Sequence, residues 1–174
     1  MSEARTSDTG SATGATADVL LVIDTVTLLD RHPDAADNPV DIESDGCYGL
    51  APDSQALDGV SAAPWPIDVR TGDRVRLRWT PLAMRGEHAV LLELSLTDET
   101  VLGGLRMHVH EHAPRYAPQS GSPEQPVARE APDAFWQADV IASGTAEVDV
   151  VAIVTDRDAS VLARFRWSLP VVVP

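Results

Sequence analysis

From Asp18 onward the apolar positions fall in short runs with a period of two or none, the signature of strands. "DVLLVIDTV" is a β-branched apolar run closed by polar residues, and it predicts a strand buried on both faces and central in its sheet. "DRVRLRWTPL" alternates strictly, so Val75, Leu77 and Trp79 point one way while Arg74, Arg76 and Arg78 point the other. That is a half-buried strand with a basic outer face. "HAVLLELSL", "VLGGLRMHVH", "FWQADVIAS", "AEVDVVAIVTD" and "SVLARFRWSL" follow, parted by the turn-forming pieces "MRGE", "DET", "SGT" and "DRDA". No segment carries a helical period. Many short strands at fairly even spacing predict an all-β fold, an antiparallel β-sandwich of jelly-roll or immunoglobulin-like kind, in a single domain over residues 18–174.

Three stretches break the pattern. Residues 1–17 are rich in Ser, Thr, Gly and Ala and poor in large apolar groups, so burial cannot offset their ordering entropy, and they are expected to form a disordered tail. Residues 30–46, "DRHPDAADNPVDIESDG", and 113–133, "APRYAPQSGSPEQPVAREAPD", are Pro-rich and too polar for a core. Both are predicted to be long surface connections, where binding function usually sits.

Composition narrows the class. Hydrophobic residues make up 44% of the 174-residue chain but aromatics only 5%, so the core must be built mainly of Val, Leu, Ile and Ala, with four Trp as anchors. A net charge of −14 repels a phosphate backbone and argues against nucleic acid as a partner. Cys47 is the sole cysteine, so neither an internal disulfide nor a zinc ribbon is possible, and a reducing compartment suits the chain. The longest early apolar run, "VLLVI", is too short for a signal peptide or a membrane span. The expectation is therefore a cytoplasmic protein without a membrane partner.

The order of the pieces also carries a resemblance. "VLLVIDTVTLLDRHPDAADNPVDI", then "CYGLAP", then "DVRTGDRVRLRWTPLAMRGEHAVLLELS", a Pro-rich linker, and finally "FWQADVIASGTAEVDVVAIVTDRDASVLARFRWSLPVVVP" together resemble the AidA/PixA inclusion-body protein family over residues 18–174. The closing "RWSLPVVVP" departs from the Trp-Asp-Pro of that family's tail. The resemblance implies a β-sandwich bacterial protein, often controlled by cell density, that in some members accumulates in cytoplasmic inclusions. It implies no catalytic residues.

Candidate chemistry is sparse. "MHVHEHAP" sets His108, His110 and His112 at alternate positions; if the strand runs on through His112 the three imidazoles share a face, where two of them with His88 as third ligand could hold zinc. The plainer interpretation is the wet end of a strand, since Pro114 signals its close. "DIESDG" offers Asp41, Glu43 and Asp45 before Gly46, like the opening of a calcium loop, but Pro52 stands where the bidentate Glu belongs. Asp156 and Asp158 of "TDRDAS" could join them as a lectin-like calcium site; two plain acidic turns are the simpler account. Trp65, between two prolines, is expected in a loop, either stacking on a sugar or capping the end of the fold. Cys47 lacks the setting of a reactive thiolate and is expected to pack as a small hydrophobe. "GG" at 103–104 inside a strand-like run predicts a bulge or turn.

Three classes of function follow. The first is a non-enzymatic, self-associating assembly or storage protein, a homo-oligomer without a cofactor. The second is a carbohydrate- or small-ligand-binding module that uses the long loops, in one form with calcium at the lectin-like site just described. The third, a metal enzyme on His88, His108 and His110, lacks any readable base or nucleophile beside those residues.

Overall fold

The alternation along the chain becomes two mixed β-sheets that share one hydrophobic cluster. The computed structural model describes residues 14–43, 46–51, 65–66, 69–83 and 86–174. In chain order its elements are β1 (Thr16–Ile23), α1 (Thr25–Arg31), β2 (Val40–Asp41), β3 (Cys47–Leu50), β4 (Trp65–Pro66), β5 (Arg74–Pro81), β6 (Ala89–Leu96), β7 (Leu102–Gln119), β8 (Ser122–Val140), β9 (Gly144–Thr155) and β10 (Val161–Val173). One sheet runs β3-β1-β5-β8-β7 and the other β2-β10-β9-β6, with β4 also beside β10.

The core is aliphatic, as the composition required. Every second residue of β9 from Ala146 to Val154 is buried, as is every second residue of β10 from Ala163 to Val173, and they meet Val19, Leu21 and Ile23 of β1. Phe165 is the largest fully buried side chain. Trp79 and Trp136 pack against this cluster, and each donates its indole N–H to a main-chain carbonyl of β6, Trp79 to Val90 at 2.7 Å and Trp136 to Leu92 at 3.0 Å. Because β6 is an edge strand, these bonds occupy acceptors that would otherwise stand open to another chain. Trp167 is buried too, but its indole nitrogen has no partner. Cys47 is buried as expected, and desolvation pushes its thiol up to about 12.

Four expectations are corrected. The strands are not purely antiparallel: β1 runs parallel to β5, and β10 runs parallel to both β2 and β4. Parallel neighbours need a long crossover, and the intervening chain between β1 and β5 supplies one. A helix exists: Asp24 caps α1, its Oδ1 accepting from the Thr27 N–H at 3.1 Å and its Oδ2 from the Thr27 hydroxyl at 2.7 Å. With 7 residues it is shorter than any window in which a helical period can be read, and it takes the start of the supposed 30–46 loop. Trp65 lies in a two-residue strand, its main chain paired beside Val171, rather than in a loop; its side chain falls outside the described part.

The fourth correction concerns residues 113–133, which are not a loop but the outer half of a long hairpin. β7 and β8 pair from Leu102↔Val140 out to Gln119↔Ser122, turning at Gly121, where φ is +85°. Register shifts interrupt the ladder between Gly103 and Arg106 and between His110 and Ala113. The first is the bulge that "GG" announced, with Gly104 at φ +62°, a conformation that costs glycine little.

Candidate functional site

The outer face of the β3-β1-β5-β8-β7 sheet holds a connected polar constellation around Phe135. Because Trp136, Ala138 and Val140 of β8 turn toward the core, Phe135, Gln137 and Asp139 turn away from it. Phe135 is nonetheless only 2% exposed. Its cover is polar: the Arg76 and Arg78 guanidiniums sit 5.0 and 4.9 Å from the ring centroid, His108 stacks on it at 5.2 Å, and His110 meets its edge at 5.3 Å. A ring quadrupole under two guanidiniums attracts both, and the aliphatic stems of the arginines exclude water from it.

Carboxylates tie the cover down. Arg78 pairs with Asp18 of β1 and, at 3.2 Å, with Asp133 of β8, while Arg115 reaches the other Asp133 oxygen at 2.6 Å. Arg74 stands 3.4 Å from Asp139, and Arg76 donates to the Gln137 side-chain oxygen at 3.0 Å. Burial works against the Asp133 carboxylate. The hydrogen bond and charge of Arg78, with Arg115 beside it, outweigh that and hold its carboxyl below the usual range.

The bulge before Ala113 decides what the histidines do. Strand β7 does run on through His112, but the shifted register takes His112 off the shared face, and its Nδ1 lies 2.9 Å from Glu130 Oε2. His108 Nε2 accepts from Arg106 at 3.2 Å, which occupies a nitrogen a metal would need. His88 is remote from both: it precedes β6 in the other sheet and bonds through Nδ1 to the Thr25 hydroxyl at 2.9 Å. The structure therefore brings His108 and His110 together around Phe135 and leaves His88 apart.

The acidic turns also stay apart. Asp41 lies on β2 with its carboxylate 3.8 Å from Arg166, midway along β10. Asp156 folds its own turn, its Oδ1 accepting from the main-chain N–H groups of Asp158 and Ser160, both at 2.9 Å. Arg166 stands five residues up β10 from Val161, the residue paired with Thr155 beside that turn, which is about 16 Å of strand. Glu43 lies two residues past the end of β2, and Asp45 lies outside the described residues. Among the described residues no group of three or more His, Cys, Asp or Glu side chains is placed to hold a metal ion. Between the sheets there is a void of about 30 Å³, lined by apolar side chains such as Val75, Leu94, Trp136 and Leu169, the space of roughly one water and too small for a sugar.

The sequence pointed to the Arg74, Arg76 and Arg78 row but missed Phe135, Asp18 and Asp133. A signal was present: adjacent strand residues face opposite ways, so of Phe135 and Trp136 one had to lie on the outer face.

Fold and sequence together define the class. A family model described as PixA, inclusion body protein, matches residues 15–173, and the chain belongs to that family. Its fold is similar to the crystal structure of the inclusion body protein PixA from Burkholderia cenocepacia J2315, with a TM-score of 0.74 and 19% identity over 94% of this chain and 98% of that one. A comparison with curated proteins found no match. Among the described residues no helix is long and apolar enough to cross a membrane.

Proposed function

We propose that this is a non-enzymatic, self-associating protein of the inclusion-body type, a β-sandwich in a single domain that accumulates in the cytoplasm as an assembly. Family membership over residues 15–173 is the observation that carries this reading. The site chemistry agrees with it: the polar residues of the outer face are engaged with one another, and no nucleophile stands beside a base within that cluster. A lectin-like calcium module is the weaker alternative, since Asp41 and Asp156 are each engaged locally and lie far apart along β10. Sedimentation velocity over a wide range of protein concentration, with calcium, zinc or chelator, tests the proposal. Metal-independent association is expected. A monomer at every concentration would refute self-association, and a calcium-dependent rise in melting temperature would favour the alternative.

A further inference from the structure

Arginines and carboxylates do not balance on the outer face of the β3-β1-β5-β8-β7 sheet. Arg74 holds Asp139, Arg78 holds Asp18, and Arg78 and Arg115 share Asp133. Arg76 and Arg106 lie on the same face with no carboxylate in ion-pair contact among the described residues. In a chain with 27 acidic residues to 13 basic ones, two arginines left over on one face call for a physical account.

The two stand on either side of a single residue. Register sets Arg76 of β5 and Arg106 of β7 directly opposite Gln137 of β8, so the three form one row across the sheet, with about 5 Å from strand to strand. Both guanidiniums approach Phe135: Arg76 lies 5.0 Å over its ring, and Arg106 donates through Nε, at 3.2 Å, to His108, which stacks on that ring at 5.2 Å. Arg76 likewise uses its Nε on Gln137 Oε1 at 3.0 Å. The terminal NH2 groups of both arginines are therefore left without a hydrogen-bond partner among the described residues.

Gln137 points to what the row is for. It is only 6% exposed, and its Oε1 is turned to Arg76. The amide nitrogen diverges from that oxygen, so Nε2 faces the Arg106 side, where its two N–H groups have no acceptor among the described residues. A donor set this deep is costly to leave unpaired. It is not sealed in, because among the described residues the Trp167 indole nitrogen is the one side-chain nitrogen or oxygen both wholly buried and unpartnered. Nε2 therefore still meets solvent, between two guanidiniums.

We infer that Arg76, Gln137 and Arg106 form an oxyanion site that takes a phosphate group. The site offers N–H donors alone, from two flanks and from below. That suits a tetrahedral ion with acceptors on every side, whereas a planar carboxylate is satisfied by one guanidinium fork. The nearest carboxylate along β8 on this face, Asp139, is held by Arg74 at 3.4 Å. The net charge of −14 does not forbid the site, since salt screens charges beyond about 8 Å at physiological ionic strength but leaves direct contacts in force. The inference stands apart from the self-association proposed above and neither needs nor implies it.

The test is calorimetric titration of the full chain at low ionic strength with inorganic phosphate and, separately, with phosphoserine, alongside thermal melts. Binding of either supports the site, and the tighter of the two tells a free ion from a terminal phosphate. Arg106→Gln, whose side chain bonds only His108 and leaves the Arg76 and Arg78 cover of Phe135 in place, should weaken binding roughly tenfold or more. Arg166→Gln, on the other sheet, should not change it. Gln137→Glu sets a carboxylate where the phosphate would sit and should abolish binding; if that variant does not fold, Arg106→Gln decides. No heat and no rise in melting temperature with either probe at millimolar concentration would overturn the site. Equal weakening by Arg166→Gln would overturn it as diffuse counter-ion attraction, and acetate binding as tightly as phosphate would overturn the choice of ligand.

Discussion

Replacing Phe135 by Ala tests whether the outer-face cluster is a packed unit or a film of surface charge. The ring is 2% exposed, so the change removes roughly 100 Å² of buried apolar surface, worth about 2.5 kcal/mol. Two guanidinium contacts over the ring, at 5.0 and 4.9 Å, add about 0.5–1 kcal/mol each at a site of this exposure. Part returns because the cover consists of flexible Arg76 and Arg78 side chains that can settle into the gap, unlike the walls of a rigid core. The net expectation is about 3 kcal/mol, or a fall in Tm of roughly 6–12 °C for a domain of this size. Denaturant titration followed by tryptophan fluorescence measures it. Phe135→Leu serves as a control that keeps most of the apolar area but loses the ring quadrupole, and about 1 kcal/mol is expected for that loss. A cost below about 1 kcal/mol for Phe135→Ala would refute the reasoning, because a side chain this buried cannot be removed so cheaply if the cover is real.

Other outcomes follow from the same geometry. The lowered carboxyl of Asp133 stabilises the fold above its unfolded pKa of about 3.9, and that stability is lost as pH falls through the lower folded value. Asp133→Asn should therefore be less stable at neutral pH yet flatter in stability between about pH 5 and pH 2, which acid denaturation curves will show. The Cys47 thiol, pushed up to about 12 by burial, should resist alkylation at mildly alkaline pH until the protein unfolds; its contribution to stability is complete below about 8.5 and is lost as pH rises toward the folded value. Trp167→Phe should change stability by less than about 1 kcal/mol in denaturant titration, because the burial it loses is offset by removing an unpartnered N–H. Trp136→Phe should cost about 1 kcal/mol more than Trp167→Phe, since it also deprives the Leu92 carbonyl of its donor.

What the chain determined by itself is what depends on near neighbours. A strand's period of two is written in consecutive residues, so the burial alternation of β5, β6, β9 and β10, the aliphatic core and the outward arginines were legible before any fold was known. So was the family likeness, which the match over residues 15–173 bears out. The rest was settled by partners distant in sequence. Whether β1 would lie parallel to β5 depends on how a long crossover packs, and no local pattern encodes that. The arm over residues 113–133 resembled a loop because a strand exposed on both faces has no reason to alternate, and only pairing with its partner strand makes it one. The histidine row failed for the same reason: a single register shift after His110, invisible in "MHVHEHAP", turned His112 toward Glu130 and left His108 and His110 to close over Phe135.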